Sequence, residues 1–230
     1  MRDIDYRAQS HAVQRLHQLF GNAGTRHLDL ACGTGPHVRH FLDAGFQSGG
    51  LDINQPMLDK AAIRCPEAHF AVQDMCAFHL DEPVDLITCF LYSLHYSATV
   101  ERLAACIARV HGALRPGGLF CFNTVDRTRI DNRLFAAHTV DVDEGRFTFS
   151  SGWHYSGAGE RQSLRLRIEK TAGDETLIWN DEHPMVAVSF AELEALLQPH
   201  FELHVLAHDY QRILPIGLGA GNALFACVKR

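Results

Sequence analysis

The sequence predicts a doubly wound α/β fold: a mostly parallel seven-stranded sheet with helices on both faces and a small antiparallel β insertion after the fifth strand. Between residues 27 and 125, short apolar runs alternate with helical patterns, as parallel sheets with crossover helices require. Runs such as residues 84–91 are apolar on both faces, which suits a sheet that is covered on both sides. The pattern then changes to strict alternation, clearest at Leu164, Leu166 and Ile168.

The elements of the first half follow one another in a regular order. Apolar residues at helical spacing predict a first helix over residues 4–20, which Gly21 and Gly24 end. Apolar runs are expected to form parallel strands at residues 27–32, 46–51, 69–72, 84–91 and 118–125. Helical patterns between these runs predict crossover helices at residues 37–44, 55–64 and 100–114.

The second half begins with an insertion into this pattern. Short alternating strands are predicted at residues 146–153, 163–170 and 176–180, within an antiparallel insertion over residues 145–187. The main fold is then expected to resume with a helix and two terminal strands, at residues 190–197, 201–207 and 223–228.

Composition limits the partners and the compartment. The 230 residues carry a net charge of -6 and no long run of Lys or Arg, which argues against a nucleic-acid or anionic-membrane partner. No apolar run is long enough to cross a bilayer, and residues 1–20 do not read as a signal peptide. Seven scattered cysteines without a Cys-x-x-Cys spacing indicate reduced thiols. We therefore expect a cytoplasmic protein, monomeric or homodimeric, that acts on a small molecule.

Acidic and glycine residues follow three successive strands. The first predicted strand ends in the tight turn Gly33-Thr-Gly35, where the absence of side chains lets a ligand approach the backbone. Asp52 ends the second apolar run, and its carboxylate can accept hydrogen bonds from both hydroxyls of a ribose. Asp74 ends the third run. The pattern predicts a site for a ligand with a diol and a base at the carboxyl edge of the sheet.

These motifs together resemble the class I S-adenosylmethionine-dependent methyltransferases. The resemblance covers residues 27 to about 125, in the family's own order. The matching segments are Asp29-Leu-Ala-Cys-Gly33-Thr-Gly35, Leu51-Asp-Ile-Asn-Gln-Pro-Met-Leu, Gln73-Asp-Met, Val84-Asp-Leu-Ile-Thr-Cys and Leu114-Arg-Pro-Gly-Gly-Leu-Phe. Within the class, residues 84–96 followed by a β insertion look like the small-molecule branch, which includes aminosugar N-methyltransferases and glycine N-methyltransferase-like proteins.

The resemblance implies a role for each matching residue on the methionine side of the cofactor. Asp29 would hold the methionine amino group, directly or through water. Ala31, Gly33 and Gly35 would form the turn beneath the amino-acid portion and the ribose. A buried acid paired with a neighbour is the structural alternative for Asp29.

On the adenosine side, the resemblance implies that Asp52 takes the ribose hydroxyls and that Ile53 lies against adenine. Asp74 would accept from the adenine amine, and the Met75 amide would face a ring nitrogen. Phe90 would lie where the methionine chain passes. The structural alternatives are a helix N-cap at Asp52 and a loop-capping carboxylate at Asp74.

The substrate side is expected just after the fourth strand, at His95 and Tyr96. Methyl transfer is a direct displacement, which needs alignment and dehydration more than a strong base. Should the acceptor lose a proton, a histidine that titrates near neutrality could take it, and His95 is the candidate. A structural histidine is the alternative. The insertion offers aromatic residues such as Trp153 and His183 that could cover a pocket.

We therefore expect one methyltransferase domain over residues 1–230 that transfers a methyl group to a nitrogen or oxygen of a small acceptor. Its parts would be an N-terminal helical cap (1–24), a cofactor-binding half (25–125), the insertion or lid (145–187) and C-terminal helix and strands (188–230). A cofactor-binding protein without methyl transfer is an alternative, and an NAD-dependent oxidoreductase is a more distant one. No metal site is expected, because His200, His204 and His208 lack partnering cysteines or acids.

Overall fold

The computed structural model describes residues 4–133, 136–173 and 175–230 and places a seven-stranded sheet at the centre. The sheet strands are β1 (Arg26–Leu30), β2 (Gln47–Asp52), β3 (Phe70–Val72), β4 (Val84–Cys89), β5 (Leu114–Val125), β10 (Phe201–Ala207) and β11 (Asn222–Lys229). Their spatial order is β10-β11-β5-β4-β1-β2-β3. Strands β1 to β5 pair in parallel, and β11 runs antiparallel to both of its neighbours. The predicted fold class is confirmed.

Five helices in the described residues surround this sheet. They are α1 (Tyr6–Phe20), α2 (Pro36–Asp43), α3 (Gln55–Arg64), α4 (Val100–Ala113) and α5 (Phe190–Leu197). Local sequence fixes where several of them begin, because a side chain satisfies a free amide of the first turn. Asn54 accepts from the Met57 amide, and Ser189 and Glu192 form a reciprocal capping box at α5. The predicted bounds of α3 and α5 match the structure.

Two apolar cores lie on opposite faces of the sheet. Successive side chains of a strand point to opposite faces, so β5 supplies both cores. Phe120 and Phe122 join the core under α4 and α5, whereas Leu119 and Cys121 join the core under α1 and α2. All four side chains are fully buried. This two-sided burial explains why these runs are apolar throughout.

The insertion is a separate four-stranded antiparallel sheet. Its strands are β6 (Ala136–Val142), β7 (Gly145–Tyr155), β8 (Arg161–Ala172) and β9 (Glu175–Val186), in sequential order. The sequence predicted three strands beginning near residue 145, and β6 extends the sheet to Ala136. This strand carries few large apolar residues, and its pairing with β7 is what defines it.

Because β1 to β5 run in parallel, their carboxyl ends lie along one edge of the central sheet. A short 3-10 turn, Ser93–Ser97, follows β4 at that edge, and β9 returns from the insertion against it. None of the helices in the described part of the chain combines the length and apolarity needed to cross a membrane.

Candidate active site

The turn after β1 has the backbone conformation that the Gly-x-Gly pattern predicted. Ala31, Gly33 and Gly35 have φ values of 51°, 54° and 72°, in the left-handed region that favours glycine. A Cβ on Gly35 would lie 3.1 Å from the Cβ of Ala61, so a side chain would also crowd α3. Glycine at positions 33 and 35 therefore keeps the turn open above the sheet.

Asp52 lies at the end of β2 and is tied to this turn. Its Oδ2 accepts from the Gly33 amide at 2.8 Å, and its Oδ1 accepts from the Asn54 amide at 2.9 Å. Each carboxylate oxygen has a second lone pair, so the oriented carboxylate can still accept from a diol. The adjacent Ile53 and Met57 side chains are 74% and 44% exposed, which is unusual for large apolar groups. An exposed apolar surface beside an oriented carboxylate fits the adenosine part of the cofactor.

Asp74 follows β3, which pairs with β2 so that Asp52 lies opposite Val72. Its Oδ1 accepts from the Cys76 amide at 2.8 Å, and its Oδ2 pairs with the guanidinium of Arg102 at 2.5 Å. The Cys76 amide and Arg102 lower the pKa of Asp74, so the group is charged at neutral pH. Met75 is buried beside it. The ends of β2 and β3 thus bring two carboxylates to one edge.

Asp29 is buried on β1, one strand away from Asp52. The Thr88 hydroxyl of β4 donates to its Oδ1 at 2.6 Å. Burial, with a smaller contribution from the charge of Asp52, raises the pKa of Asp29 to about 7. A buried carboxylate at this pKa is poised to pair with a cation. Phe90, which follows β4, is buried and faces the same edge through its contact with His37 at 5.2 Å.

His95 lies in the 3-10 turn after β4 but is buried, with 2% of its surface exposed. With the proton on Nδ1, it donates to the Val186 carbonyl at 2.9 Å. Its Nε2 lies 2.9 Å from the Thr124 hydroxyl and accepts from the Val125 amide at 3.3 Å. Burial lowers the pKa of His95 to about 4. A proton acceptor needs an accessible nitrogen, so this geometry favours the structural alternative, and the role of general base stays a prediction.

Tyr96 is 44% exposed and leads into a chain of polar contacts with the insertion. Its hydroxyl lies 2.5 Å from His183 Nδ1, and His183 Nε2 lies 3.1 Å from Asp181 Oδ2. Burial raises the pKa of Tyr96, so the phenol is neutral at pH 7. The sequence placed His183 on the insertion as a possible pocket cover, and the structure joins it to Tyr96.

Aromatic residues gather after β4 and β5, among them Trp153, which the sequence offered as a possible pocket cover. Tyr92 contacts Trp153 of β7 at 5.2 Å and stacks on His208 at 6.0 Å. His208 Nε2 lies 2.9 Å from the Tyr210 hydroxyl, and Tyr210 contacts Phe90 at 6.1 Å. We call Tyr92, Trp153, His208 and Tyr210 the aromatic cluster. Tyr210 joins this cluster to Phe90, the residue that follows β4.

Asn123 is a buried side chain that supports this cluster from β5. Its Oδ1 accepts from the Tyr92 amide at 3.1 Å, and its Nδ2 lies 3.4 Å from His208 Nε2. A polar Asn inside an apolar run was the sequence signal that could have identified it. Leu91 and Tyr92 have φ values of 56° and 61°. Such strained backbone in residues other than glycine is typical of functional sites.

The three spaced histidines of the sequence lie in different surroundings. His200 lies beside His111, His204 stacks on Phe20 at 3.9 Å, and His208 belongs to the aromatic cluster. Within residues 4–133, 136–173 and 175–230, no three His, Cys, Asp or Glu side chains are grouped to hold a metal ion.

Comparisons with known proteins agree with this geometry. The family described as "Methyltransferase domain" matches residues 28–118. A dTDP-3-amino-3,4,6-trideoxy-alpha-D-glucopyranose N,N-dimethyltransferase of Streptomyces venezuelae is 29% identical over 64% of this chain and 68% of its own length. A dTDP-4-amino-2,3,4,6-tetradeoxy-D-glucose N,N-dimethyltransferase of Saccharopolyspora spinosa is 36% identical, over 40% of this chain and 37% of its own length.

Two solved structures share the fold over the whole chain. Streptomyces venezuelae DesVI superposes with a TM-score of 0.83 at 24% identity, covering 100% of this chain and 94% of that one. CalS10, an amino pentose methyltransferase from Micromonospora echinaspora, superposes with a TM-score of 0.84 at 20% identity, covering 100% and 93%. The antiparallel insertion is therefore part of a shared architecture.

Proposed function

We propose that this chain, a class I S-adenosylmethionine-dependent methyltransferase, methylates the amine nitrogen of a small sugar-like acceptor. The observation that carries the proposal is that two different surfaces meet at Phe90. Phe90 follows Thr88 by two residues, and the Thr88 hydroxyl donates to Asp29. The Phe90 ring lies 5.2 Å from His37 at the start of α2 and 6.1 Å from Tyr210 of the aromatic cluster. A donor held at Asp29 would present its methyl group to an acceptor held by the aromatic cluster.

When bound, the cofactor would supply a methyl group on a cationic sulfur, which the acceptor nitrogen takes as S-adenosylhomocysteine leaves. The protein's part is to orient the donor and to exclude water. Asp52 would bind the ribose hydroxyls through the lone pairs that Gly33 and Asn54 leave free. Asp74 would bind the adenine amine through its remaining lone pairs, and Asp29 would pair with the methionine ammonium group.

The aromatic cluster suits an amine that must lose a proton before it attacks. Aromatic faces stabilise a cationic amine as it enters the site. Burial lowers the pKa of His208, so the imidazole is neutral at pH 7 and can accept the proton of the ammonium form. The Tyr210 hydroxyl beside it stays protonated because burial raises its pKa. Unlike His95, His208 is only partly buried. We therefore place it as the proton acceptor, with the Tyr210 hydroxyl turning to accept from the Nε2–H that forms.

The relatives support a sugar as the acceptor class. The two dimethyltransferases described above are named for amino sugars carried on dTDP. Groups of the kind that bind sugar hydroxyls lie in and around the aromatic cluster: the hydroxyls of Tyr92 and Tyr210, the amide of Asn123 and the imidazole of His208.

The test is a methyl-transfer assay on matched acceptors. Purified protein with S-adenosylmethionine would be offered dTDP-linked amino sugars and the corresponding hydroxy sugars, with S-adenosylhomocysteine release and product mass as readouts. We expect one or two methyl groups on the amino sugars and none on the hydroxy sugars. Methylation of the hydroxy sugars alone would contradict the amine assignment.

Two variants test the assignment of His208 as the proton acceptor. We expect His208→Ala to lower kcat by about 10²-fold, as the loss of a general base does, with S-adenosylhomocysteine binding unchanged. Tyr96→Phe removes the hydroxyl that reaches His183 and is the matched comparison. A large loss in Tyr96→Phe with full activity in His208→Ala would move the role to Tyr96 and His183.

A further inference from the structure

Three polar side chains lie inside the central sheet, in positions that a parallel sheet normally fills with apolar residues. His27 on β1, Ser48 on β2 and Thr88 on β4 are 2%, 6% and 0% exposed. His27 lies opposite Ser48 in the β1–β2 register, and Thr88 lies opposite Asp29 in the β1–β4 register. Burying such groups is unfavourable unless each of them is hydrogen-bonded.

The three side chains form one continuous line of hydrogen bonds that ends at Asp29. Ser48 Oγ lies 2.7 Å from His27 Nδ1, and His27 Nε2 lies 2.8 Å from Thr88 Oγ1. Thr88 Oγ1 then donates to Asp29 Oδ1 at 2.6 Å. The His27 ring also packs on Phe41, with 3.9 Å between ring centroids. The imidazole is therefore fixed by packing as well as by its two polar contacts.

An ionised Asp29 sets the direction of every bond in this line. A carboxylate only accepts, so the proton of Thr88 must point to Asp29. Thr88 Oγ1 then accepts from His27, which requires the neutral tautomer with the proton on Nε2. His27 Nδ1 accepts from the Ser48 hydroxyl in turn. Burial lowers the pKa of His27 well below its usual range, in agreement with a neutral ring.

The charge of Asp29 itself has no cationic partner among the described residues. The salt bridges of these residues involve other acids, such as Asp74 and Asp85. A buried carboxylate without a counter-ion is costly to the fold, which suggests that a ligand supplies the cation. The ammonium group of the cofactor's methionine part has the required charge.

We propose that His27, held by Ser48 and acting through Thr88, is a positioning residue that orients the Asp29 carboxylate toward the ammonium group of S-adenosylmethionine. The line of hydrogen bonds fixes Oδ1 and leaves Oδ2 to receive the cation. This inference rests on the use of S-adenosylmethionine and not on the identity of the acceptor, so an error in the acceptor class would leave it intact.

The test compares two ligands, of which only one carries the ammonium group. S-adenosylhomocysteine carries the amino-acid portion, whereas 5′-methylthioadenosine has the adenosine and the sulfur without it. Calorimetric titrations at pH 8 would use the wild type, Thr88→Val and Thr88→Ser, together with His27→Phe and His27→Gln. Valine removes the hydroxyl at nearly constant shape, and serine restores it. Glutamine restores an N–H donor that phenylalanine lacks.

We expect Thr88→Val and His27→Phe to weaken S-adenosylhomocysteine binding at least about tenfold, as loss of a hydrogen bond to a charged group does. Thr88→Ser and His27→Gln should recover most of that affinity. Binding of 5′-methylthioadenosine should stay within about twofold in every variant, which also shows that the site is folded. Should one substitution at His27 prevent folding, the Thr88 pair carries the same comparison.

The tautomer of His27 gives an independent readout. Nitrogen-15 spectra of the complex with S-adenosylhomocysteine should show the proton on Nε2. An equal loss of both ligands in the variants, unchanged S-adenosylhomocysteine affinity, or a proton on Nδ1 in the complex would each overturn the proposal. Absence of S-adenosylhomocysteine binding by the wild type would overturn it together with the cofactor assignment.

Discussion

Single residues at the carboxyl edge are held by backbone amides and by neighbouring side chains, and these surroundings differ from strand to strand. Asp52 and Asp74 each accept from backbone amides, and at Asp74 the Cys76 amide and Arg102 lower the pKa. Asp29 has the Thr88 hydroxyl instead and is more deeply buried. The same residue type therefore has different properties at three neighbouring strand ends.

Asp29 is expected to destabilise the cofactor-free protein at neutral pH. Its pKa rises from 3.8 to about 7 on folding, so the folded state holds a proton that the unfolded state releases between these values. Stability from this group is thus present at low pH and is lost as pH rises toward 7. The loss amounts to at most about 4 kcal/mol above pH 7.

Asp29→Asn removes this penalty. In urea denaturation without cofactor, we expect the variant to be more stable than the wild type at pH 8, and this advantage to be up to about 3 kcal/mol smaller at pH 4.5. Its affinity for S-adenosylhomocysteine should fall, because the neutral amide does not pair with the ammonium group. A stability difference that is the same at both pH values would contradict the raised pKa.

At the scale of elements, the 3-10 turn Ser93–Ser97 connects the central sheet with the insertion. His95 makes this connection, because its two ring nitrogens bond to β5 and to the end of β9. The same turn presents Tyr96 to His183 on β9. The turn therefore holds β9 through both His95 and Tyr96.

His95→Ala is expected to lower the free energy of unfolding by about 2–3 kcal/mol, because it leaves buried polar groups of β5 and β9 without their partner. His95→Asn keeps a donor near the position of Nδ1 and should lose less. Chemical denaturation of both variants measures these values.

Activity of His95→Asn separates the structural role from the catalytic one. As a structural residue, His95 can be replaced by Asn with kcat within a few-fold of the wild type, whereas loss of a general base costs about 10²-fold or more. A fully folded His95→Asn protein with a kcat lowered a hundredfold would instead support the prediction from the sequence that His95 is a general base.

At the scale of the whole molecule, the insertion and the central sheet both contribute to the aromatic cluster, where we propose that the acceptor binds. Trp153 reaches from β7 to Tyr92 and to His95, at 5.2 Å and 5.8 Å between ring centroids. Trp179 of β9 is instead 49% exposed. The two tryptophans of the chain therefore form a matched pair, one in the aromatic cluster and one at the surface.

Trp153→Ala should raise the KM for the acceptor about tenfold or more, because it removes a large aromatic contact surface from the acceptor site. Its affinity for S-adenosylhomocysteine should stay close to that of the wild type. Trp179→Ala is the control and should change neither value. Steady-state kinetics with varied acceptor concentration measure the KM, and calorimetry measures the affinity for S-adenosylhomocysteine. Equal effects of both substitutions would argue against an acceptor site at Trp153.

The sequence by itself determined the parallel sheet, the order of its elements and the residues expected on the cofactor side. The reason is that these features are local: a strand, a Gly-x-Gly turn and an acid at a strand end lie within a few residues of one another. Asp29, Asp52 and Asp74 could thus be picked out before their distances were known. Burial on both faces also leaves a continuous apolar pattern in the chain, as in β4 and β5.

Only the tertiary structure decided the acceptor side. Tyr92, Trp153 and His208 come from segments far apart in the chain, and no local pattern marks residues that meet through long-range packing. The structure also buried His95 and joined Tyr96 to His183, because the return of β9 against the turn after β4 sets both contacts. Likewise, the sequence places His27 in an apolar strand, and only strand pairing brings Ser48 and Thr88 within hydrogen-bonding distance of its ring.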